Sequence, residues 1–165
     1  MLLQKAQENC QTNSQFIEAL GGLVLSPNFP VIEGKHQITK SWSMSLPTQF
    51  NRRIEDEDIV IWKPGFTIYI AVWNNDNNLS HESLFNSVTE DISLEAFDVN
   101  SNENGEINFF SYRLNEDIND QRVAAFYCYA ISPNGYVQSV MYFDNEKDVD
   151  DAIRIWESFE YEIAS

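Results

Sequence analysis

Apolar and polar residues alternate most clearly over residues 58–73, DIVIWKPGFTIYIAVW. The alternation predicts two β-strands joined at the central Pro-Gly pair, because proline presets φ and glycine supplies the positive φ of a tight turn. In this hairpin Ile61 faces Ile68, and Ile59 faces Ile70. One side of the hairpin is therefore aliphatic, and we expect a helix to lie on it, whereas the other side is aromatic and mixed.

The same periodicities predict most of the remaining elements. Ser80 is a suitable N-cap for a helix at residues 81–92, where Leu84 and Val88 belong to an apolar stripe. Further strands are predicted at residues 36–46, 94–99, 107–114, 123–131 and 136–143. Pro47 is expected to close the first of these strands.

A helix is predicted near each end of the chain. Residues 2–20 place apolar side chains at loosely helical spacing around a polar middle. Near the other end, Asp144 or Asn145 is expected to cap a more regular helix. The apolar stripe of that helix consists of Val149, Ala152, Ile153, Trp156 and Phe159.

This order of elements predicts a single α+β domain. Hairpin-length connections indicate a mainly antiparallel sheet, which we expect to have about six strands and helices packed on its faces. Residues 1–37 are interpreted as a helix and a strand or loop that lead into the core at residues 38–165. No repeat, linker or low-complexity tract indicates a second domain, and 165 residues can bury a sizeable core.

The formal net charge of −16 restricts the kinds of molecule that the protein is expected to bind. It argues against nucleic acid and against an anionic membrane, since both are bound through Lys and Arg. It favours steering of a basic protein, although plain solubility is the simpler explanation. Without a signal peptide or an apolar run long enough for a membrane span, a cytoplasmic protein is expected.

Few residues could carry catalysis or bind a metal. His36, His81, Cys10 and Cys128 occur in unrelated contexts and do not have the spacing of zinc ligands. No nucleophile motif is present, and Cys128 on an alternating strand is best explained as a buried free thiol, as expected in a reducing compartment. We therefore predict no catalytic, cofactor-binding or metal-binding residue.

Residues 100–111 resemble a calcium-binding loop only in part. Asn occupies the first, third and fifth places and Gly the sixth. The twelfth place, which requires a bidentate Glu, is Ser111, and the first three ligand places lack a carboxylate. A hairpin loop is therefore the favoured interpretation.

Two sets of residues are candidates for a partner-binding surface. The first is an acidic run that consists of Glu55, Asp56, Glu57 and Asp58. The second is an aromatic set that consists of Trp62, Tyr69, Trp73, Tyr127 and Tyr129, with Tyr136 and Tyr142 beside them. The aromatic set forms either a second core under a helix, which is favoured, or an exposed groove.

Several segments resemble a known family. They are residues 58–76, the Tyr-Arg-Leu at residues 112–114, the hairpin at residues 124–144 and the end of the last helix. Together they resemble a bacterial family of small acidic proteins without an established role, and the order of elements is similar to the PsbP-like α/β/α sandwich. The resemblance implies that fold over residues 38–159 and favours protein binding, but it carries over no functional residue.

The sequence thus predicts a non-enzymatic cytoplasmic protein that binds another protein. An immunity or adaptor protein that engages a basic partner is the sharper form of this hypothesis. The alternative is a small-molecule-binding protein or weak hydrolase whose pocket lies on the aromatic face of the sheet. A homodimer is compatible with either function.

Overall fold

A computed structural model describes residues 24–164, and its main feature is one large antiparallel sheet. The predicted helix at residues 2–20 and Cys10 lie outside the described residues. The strands are β1 (Val31–Gln37), β2 (Trp42–Glu55), β3 (Asp58–Lys63), β4 (Phe66–Asn74), β5 (Phe97–Asn104), β6 (Ile107–Ile118), β7 (Gln121–Ser132), β8 (Gly135–Phe143) and β9 (Glu160–Tyr161).

The strands follow the order β1-β2-β3-β4-β8-β7-β6-β5, and β9 pairs with the beginning of β2. The predicted central hairpin is confirmed with its register, since Ile59 pairs with Ile70 and Ile61 with Ile68. Its second strand continues the sheet by pairing with β8 along its whole length. This hairpin therefore lies in the middle of the sheet.

Two helices interrupt the strands. Helix α1 (His81–Thr89) begins at the predicted N-cap, where the Ser80 hydroxyl accepts a 3.1 Å hydrogen bond from the backbone N–H of Ser83. Near the chain end, Asn145 caps a 3₁₀ turn (Glu146–Asp148) that leads into helix α2 (Val149–Glu157). Both helices have only nine residues.

The predicted α+β class was wrong. Over residues 24–164 the fold is β-rich, with nine strands and two short helices, and it is not an α/β/α sandwich of the PsbP-like kind with about six strands covered by helices. The prediction failed because polar residues beyond the predicted strand boundaries continue the strands. The β6–β7 hairpin, for example, runs to Ile118 and Gln121, so its acidic end is paired backbone.

The predicted strand at residues 36–46 was also wrong in its boundaries. A turn divides it, in which the N–H groups of Ile38 and Thr39 both donate to the carbonyl of Trp42. Pro47 does not close the following strand, because β2 continues to Glu55. The register between β1 and β2 shifts between the Ile32–Phe50 pair and the Gly34–Leu46 pair, which marks a β-bulge around Pro47. A bulge tolerates proline, because proline has no N–H to donate to the strand pairing.

Alternate residues of the sheet enter two separate cores. The first core contains the aliphatic side of the central hairpin together with Ala152, Ile155 and Trp156 of α2. The second contains the aromatic side together with Leu84 of α1. Cys128 is fully buried in the first core as a free thiol, as predicted. The two helices thus lie on opposite faces, and each covers part of one.

Two hydrogen bonds tie the C-terminal end of helix α2 to the sheet. The indole Nε1 of Trp156 donates a 3.0 Å hydrogen bond to the carbonyl of Tyr129 on β7. Beyond the helix, the Ser158 hydroxyl accepts from the N–H of Ser45 on β2 at 2.9 Å. These bonds fix α2 across the face between β2 and β7.

Candidate functional site

The structure places most of the predicted aromatic set inside the protein. Trp62, Tyr69, Tyr127 and Tyr129 are all less than a tenth exposed and belong to the second core. These four side chains are buried among other apolar residues, so they form a core and not a groove open to a partner. Of the five predicted aromatic site residues, Trp73 alone keeps a large exposed fraction, 48%.

A buried carboxylate that the sequence did not single out lies within this core. Glu116 is 8% exposed and accepts hydrogen bonds from the phenols of Tyr127 and Tyr142, the latter at 2.9 Å. A buried carboxylate needs such donors, because without them its desolvation is expensive. We call Tyr112, Glu116, Tyr127, Tyr129 and Tyr142 the tyrosine–glutamate cluster.

The available signal for Glu116 was the alternation along β6. Phe110, Tyr112 and Ile118 are buried on the same side of the sheet, and Glu116 occupies the matching parity between them. The predicted strand at residues 107–114 ends before Glu116, whereas strand β6 continues to Ile118. The parity of the strand was the better guide to the burial of this side chain.

Three tyrosines of the cluster are held in their neutral form. The rings of Tyr112 and Tyr127 stack with centroids 5.0 Å apart and an interplanar angle of 1°. Burial raises the pKa of Tyr112, Tyr127 and Tyr129 above the ordinary value of 10.0. Phenols of this kind donate hydrogen bonds at neutral pH but do not act as bases, which fits a structural role.

The exposed Trp73 is held in a defined position. Its ring stacks on that of Tyr136 on β8, with centroids 6.4 Å apart and an interplanar angle of 21°. The backbones approach so closely here that a Cβ on Gly135 would lie 2.2 Å from the carbonyl oxygen of Trp73. Glycine is therefore required at position 135 for the Trp73–Tyr136 pair to form.

The predicted acidic run forms the β2–β3 turn. Asp56 and Glu57 both have positive φ, at 47° and 76°, which is the conformation of a two-residue hairpin turn that usually takes Asn-Gly. Both side chains are exposed, whereas Glu55 is paired with Arg53 at 2.9 Å. The turn is thus a solvated acidic tip.

Trp73 and this acidic turn lie at the same end of the sheet. Strands β3 and β4 are neighbours, and the pairing of Ile59 with Ile70 sets the turn beside the last residues of β4. We call Trp73, Tyr136 and residues 55–58 the Trp73 end. The structure therefore brings one predicted aromatic residue together with the predicted acidic run and separates the other four from it.

A wide cleft lies between α1 and the β5–β6 hairpin, with a volume of about 1020 Å³. Its lining is mostly polar and includes His81, Asn102 and Glu103. The Nε2 atom of His81 lies 2.9 Å from the carbonyl oxygen of Ile131 and is therefore engaged in a hydrogen bond. The calcium-like insert belongs to a hairpin, as favoured, but residues 100–104 continue strand β5 and the turn between Asn104 and Ile107 is the only part that is a loop.

None of the helices within residues 24–164 combines the length and the apolarity that a membrane span needs. Over the same residues, no three His, Cys, Asp or Glu side chains are grouped so as to hold a metal ion.

Comparison with known proteins adds information on the fold alone. No protein-family model matches the chain, and no curated protein matches it either. A crystal structure of a protein from Bacteroides thetaiotaomicron VPI-5482 at 1.50 Å resolution is similar, with a TM-score of 0.62 and 12% sequence identity. The similarity covers 79% of this chain and 49% of that one, so the chain spans about half the length of this protein. At such low identity, the similarity does not transfer a function.

Proposed function

We propose that this chain is a non-enzymatic cytoplasmic domain that binds a basic protein partner, as an acidic immunity or adaptor protein does. The observation that supports it is the Trp73 end, where a half-exposed Trp73 stacked on Tyr136 lies beside a solvated acidic turn. Aromatic anchors with two torsions lose little entropy on binding, and Trp is the residue most enriched among binding hot spots.

Charge complementarity supports a basic partner. The chain carries 26 Asp and Glu against 10 Lys and Arg. Several of these cations already pair with carboxylates of the chain, namely Lys35, Arg53, Arg113, Arg122 and Arg154. The remaining surface field is therefore strongly negative, which accelerates encounter with a basic surface and disfavours an acidic one.

The environment of the chemically capable groups supports a function without catalysis. Cys128 is completely buried, and burial raises the pKa of its thiol, so thiolate chemistry is suppressed. Burial raises the pKa of the Tyr112, Tyr127 and Tyr129 phenols, which are therefore neutral. The aromatic face, which we considered as a hydrolase pocket, is occupied by its own side chains and α1.

The test combines capture of partners with two variants of the Trp73 end. Tagged wild-type protein and Trp73→Ala are used to capture proteins from a lysate of the source organism, and the captured partner is then purified. We expect a basic partner that is released by salt and that binds Trp73→Ala at least about thirtyfold more weakly, the usual loss at a hot spot.

A charge-matched pair of variants separates local from global electrostatics. Neutralising the acidic turn, with Asp56→Asn and Glu57→Gln, is expected to weaken binding and reduce its salt dependence. The control is Asp117→Asn with Asp120→Asn, which removes the same charge from the β6–β7 hairpin at the opposite end of the sheet. Equal effects of the two pairs, an unaffected Trp73→Ala, or capture of a second copy of this chain alone would contradict the proposal.

A further inference from the structure

A second concave surface lies on the opposite face of the sheet, between α2 and the edge strand β5. This groove, which we call the α2–β5 groove, has a volume of about 700 Å³. Ser111 and Arg113 of β6 lie at its floor, while Ile153 and Trp156 belong to its α2 wall and Asn100 to its β5 wall. The lining combines polar and charged side chains with apolar ones, and convergent polar groups of this kind fix the orientation of a small ligand.

The groove contains a buried cation. Arg113 is only 4% exposed. Its guanidinium donates to the carboxylate of Glu146 through both Nη atoms and to the carbonyl oxygen of Ala124 at 2.8 Å. It also lies over the rings of Phe97 and Phe143, at 5.7 Å and 5.2 Å from their centroids. An arginine held in this way presents a fixed fork for a planar carboxylate.

Two polar atoms at the floor of the groove lack a hydrogen-bond partner within residues 24–164. The Nε atom of Arg113 and the hydroxyl oxygen of Ser111 are buried without a hydrogen-bond partner in the described part of the chain. A buried polar group that stays unpaired costs stability, so such atoms indicate that a further molecule completes the site. Both belong to residues that line the groove.

The present counter-ion of Arg113 is easy to replace. The side chain of Glu146 is 68% exposed, whereas that of Arg113 is 5% exposed. Glu146 belongs to the 3₁₀ turn before α2, so it approaches Arg113 from solvent and not from the core. A carboxylate supplied by a ligand could therefore take its place without leaving a new charge buried.

The other walls define the kind of acid that fits. Val149 and Ile153 are partly exposed and offer apolar surface for a hydrocarbon body beside the buried Trp156, and Asp98 and Glu157 place negative charge beside the groove. These carboxylates repel a dianion about twice as strongly as a monoanion, whereas Arg113 supplies a single positive charge.

We propose that the α2–β5 groove binds a small monocarboxylic acid with an apolar body, whose carboxylate displaces Glu146 from Arg113. The hydrocarbon portion lies against Ile153 and Trp156. This site is independent of the Trp73 end, which lies on other elements and involves the opposite face, so either proposal can fail without the other.

The probes are phenylacetate and two neutral or cationic molecules of similar shape, 2-phenylethanol and 2-phenylethylamine. Calorimetric titration of the full chain is expected to give phenylacetate an affinity at least about tenfold above that of 2-phenylethanol, because only the anion forms charge-assisted bonds to Arg113. Phenyl phosphate, as a dianion, is expected to bind more weakly than phenylacetate. In NMR spectra, the Arg113 Nε–H and the Trp156 indole should shift on binding while the Trp73 indole does not.

Two substitutions at exposed positions should change the affinity for phenylacetate in opposite directions. Glu146→Gln removes the competing carboxylate and is expected to tighten binding by about three- to fivefold, the effect of a partly exposed ion pair. Asn100→Asp adds a charge to the β5 wall at nearly constant shape and is expected to weaken binding about threefold or more.

Asp150→Asn is the matched control, since it removes one exposed charge from α2 outside the groove lining. The proposal is overturned if none of the probes binds, or if phenylacetate binds no better than 2-phenylethanol. It is also overturned if Glu146→Gln and Asp150→Asn have equal effects, because binding would then follow the net charge alone.

Discussion

Tyr142 on β8 donates a 2.9 Å hydrogen bond from its phenol to Oε2 of Glu116, a carboxylate that is almost entirely buried on β6. Strand β7 separates these two strands in the sheet, and its Tyr127 donates to the other oxygen of the same carboxylate. One glutamate thus links three adjacent strands on the aromatic face. A hydrogen bond to a charged acceptor is stronger than one between neutral groups, so this link should contribute measurably to stability.

We expect Tyr142→Phe to lower the free energy of unfolding by about 1.5–3 kcal/mol, the range for hydrogen bonds to charged groups. The substitution keeps the ring in the core and removes only the donor. Denaturant titration measures the effect. Tyr161→Phe, on the short edge strand β9, is the control and should change stability by less than about 0.5 kcal/mol. Equal stability of the two variants would show that the link to Glu116 is not stabilising.

The buried phenols predict a loss of stability at high pH. Burial raises the pKa of Tyr112, Tyr127, Tyr129 and Tyr136 above 10.0, so the folded state keeps protons that the unfolded state loses. The contribution of these groups is full below about pH 10 and declines as the pH rises further. Phenolate absorbance should show that these four tyrosines titrate late or only on unfolding. If they ionised near pH 10 in the folded protein, their burial would be contradicted.

Glu146 predicts a second pH dependence, at the acidic end. The hydrogen bond from Arg113 lowers the pKa of Glu146 below its ordinary value of 4.5. A carboxyl whose pKa is lowered on folding stabilises the folded state above the unfolded pKa, and this contribution is lost as the pH falls through the folded pKa. The free energy of unfolding should therefore differ between the wild-type protein and Glu146→Gln above about pH 5. The two values should approach each other as the pH falls below 4.5, through the lowered pKa of folded Glu146. A difference that stays constant with pH would contradict the ion pair.

The approach of β8 to β4 predicts that Gly135→Ala destabilises the protein strongly. The new Cβ would lie 2.2 Å from the carbonyl oxygen of Trp73, in a backbone conformation with φ of 154°. We expect a loss of at least about 3 kcal/mol, because backbone strain and steric overlap combine. The matched control is Gly105→Ala, where φ is 62° but nothing lies within 4 Å of the added atom.

Gly105→Ala should cost only about 1–2 kcal/mol, the penalty for a left-handed conformation without a clash. Thermal and denaturant unfolding of both variants measure the difference. Similar losses at the two positions would mean that β8 and β4 can separate easily at Trp73. The exposed aromatic pair would then not be a rigid surface.

The sequence was most informative where one strand alternates between two cores. In the central hairpin the parity of Ile59 and Ile61 against Val60 and Trp62 correctly predicted the register and which of these side chains enter each of the two cores. The cap at Ser80 was equally local, because its hydroxyl bonds an N–H only three residues away. Such features depend on neighbouring residues, so a single sequence contains them.

Features that depend on distant partners could not be predicted in this way. The burial of Glu116 depends on hydrogen-bond donors from β7 and β8. The position of Pro47 inside a strand depends on a bulge in the pairing of β2 with β1. In the sequence, Arg113 is one polar residue of a predicted strand. Only the structure places the 3₁₀ turn and α2 beside it and so forms the α2–β5 groove.

Sequence by itself thus determined the strand periodicity, the hairpin turns, the helix cap and the strongly negative charge. Tertiary structure alone decided that polar segments extend the sheet to nine strands, that four of five predicted aromatic site residues are core, and that Trp73 stays exposed beside the acidic turn. The physical reason is that burial and backbone pairing depend on which strands become neighbours. That arrangement is a property of the whole sheet, and no short segment encodes it.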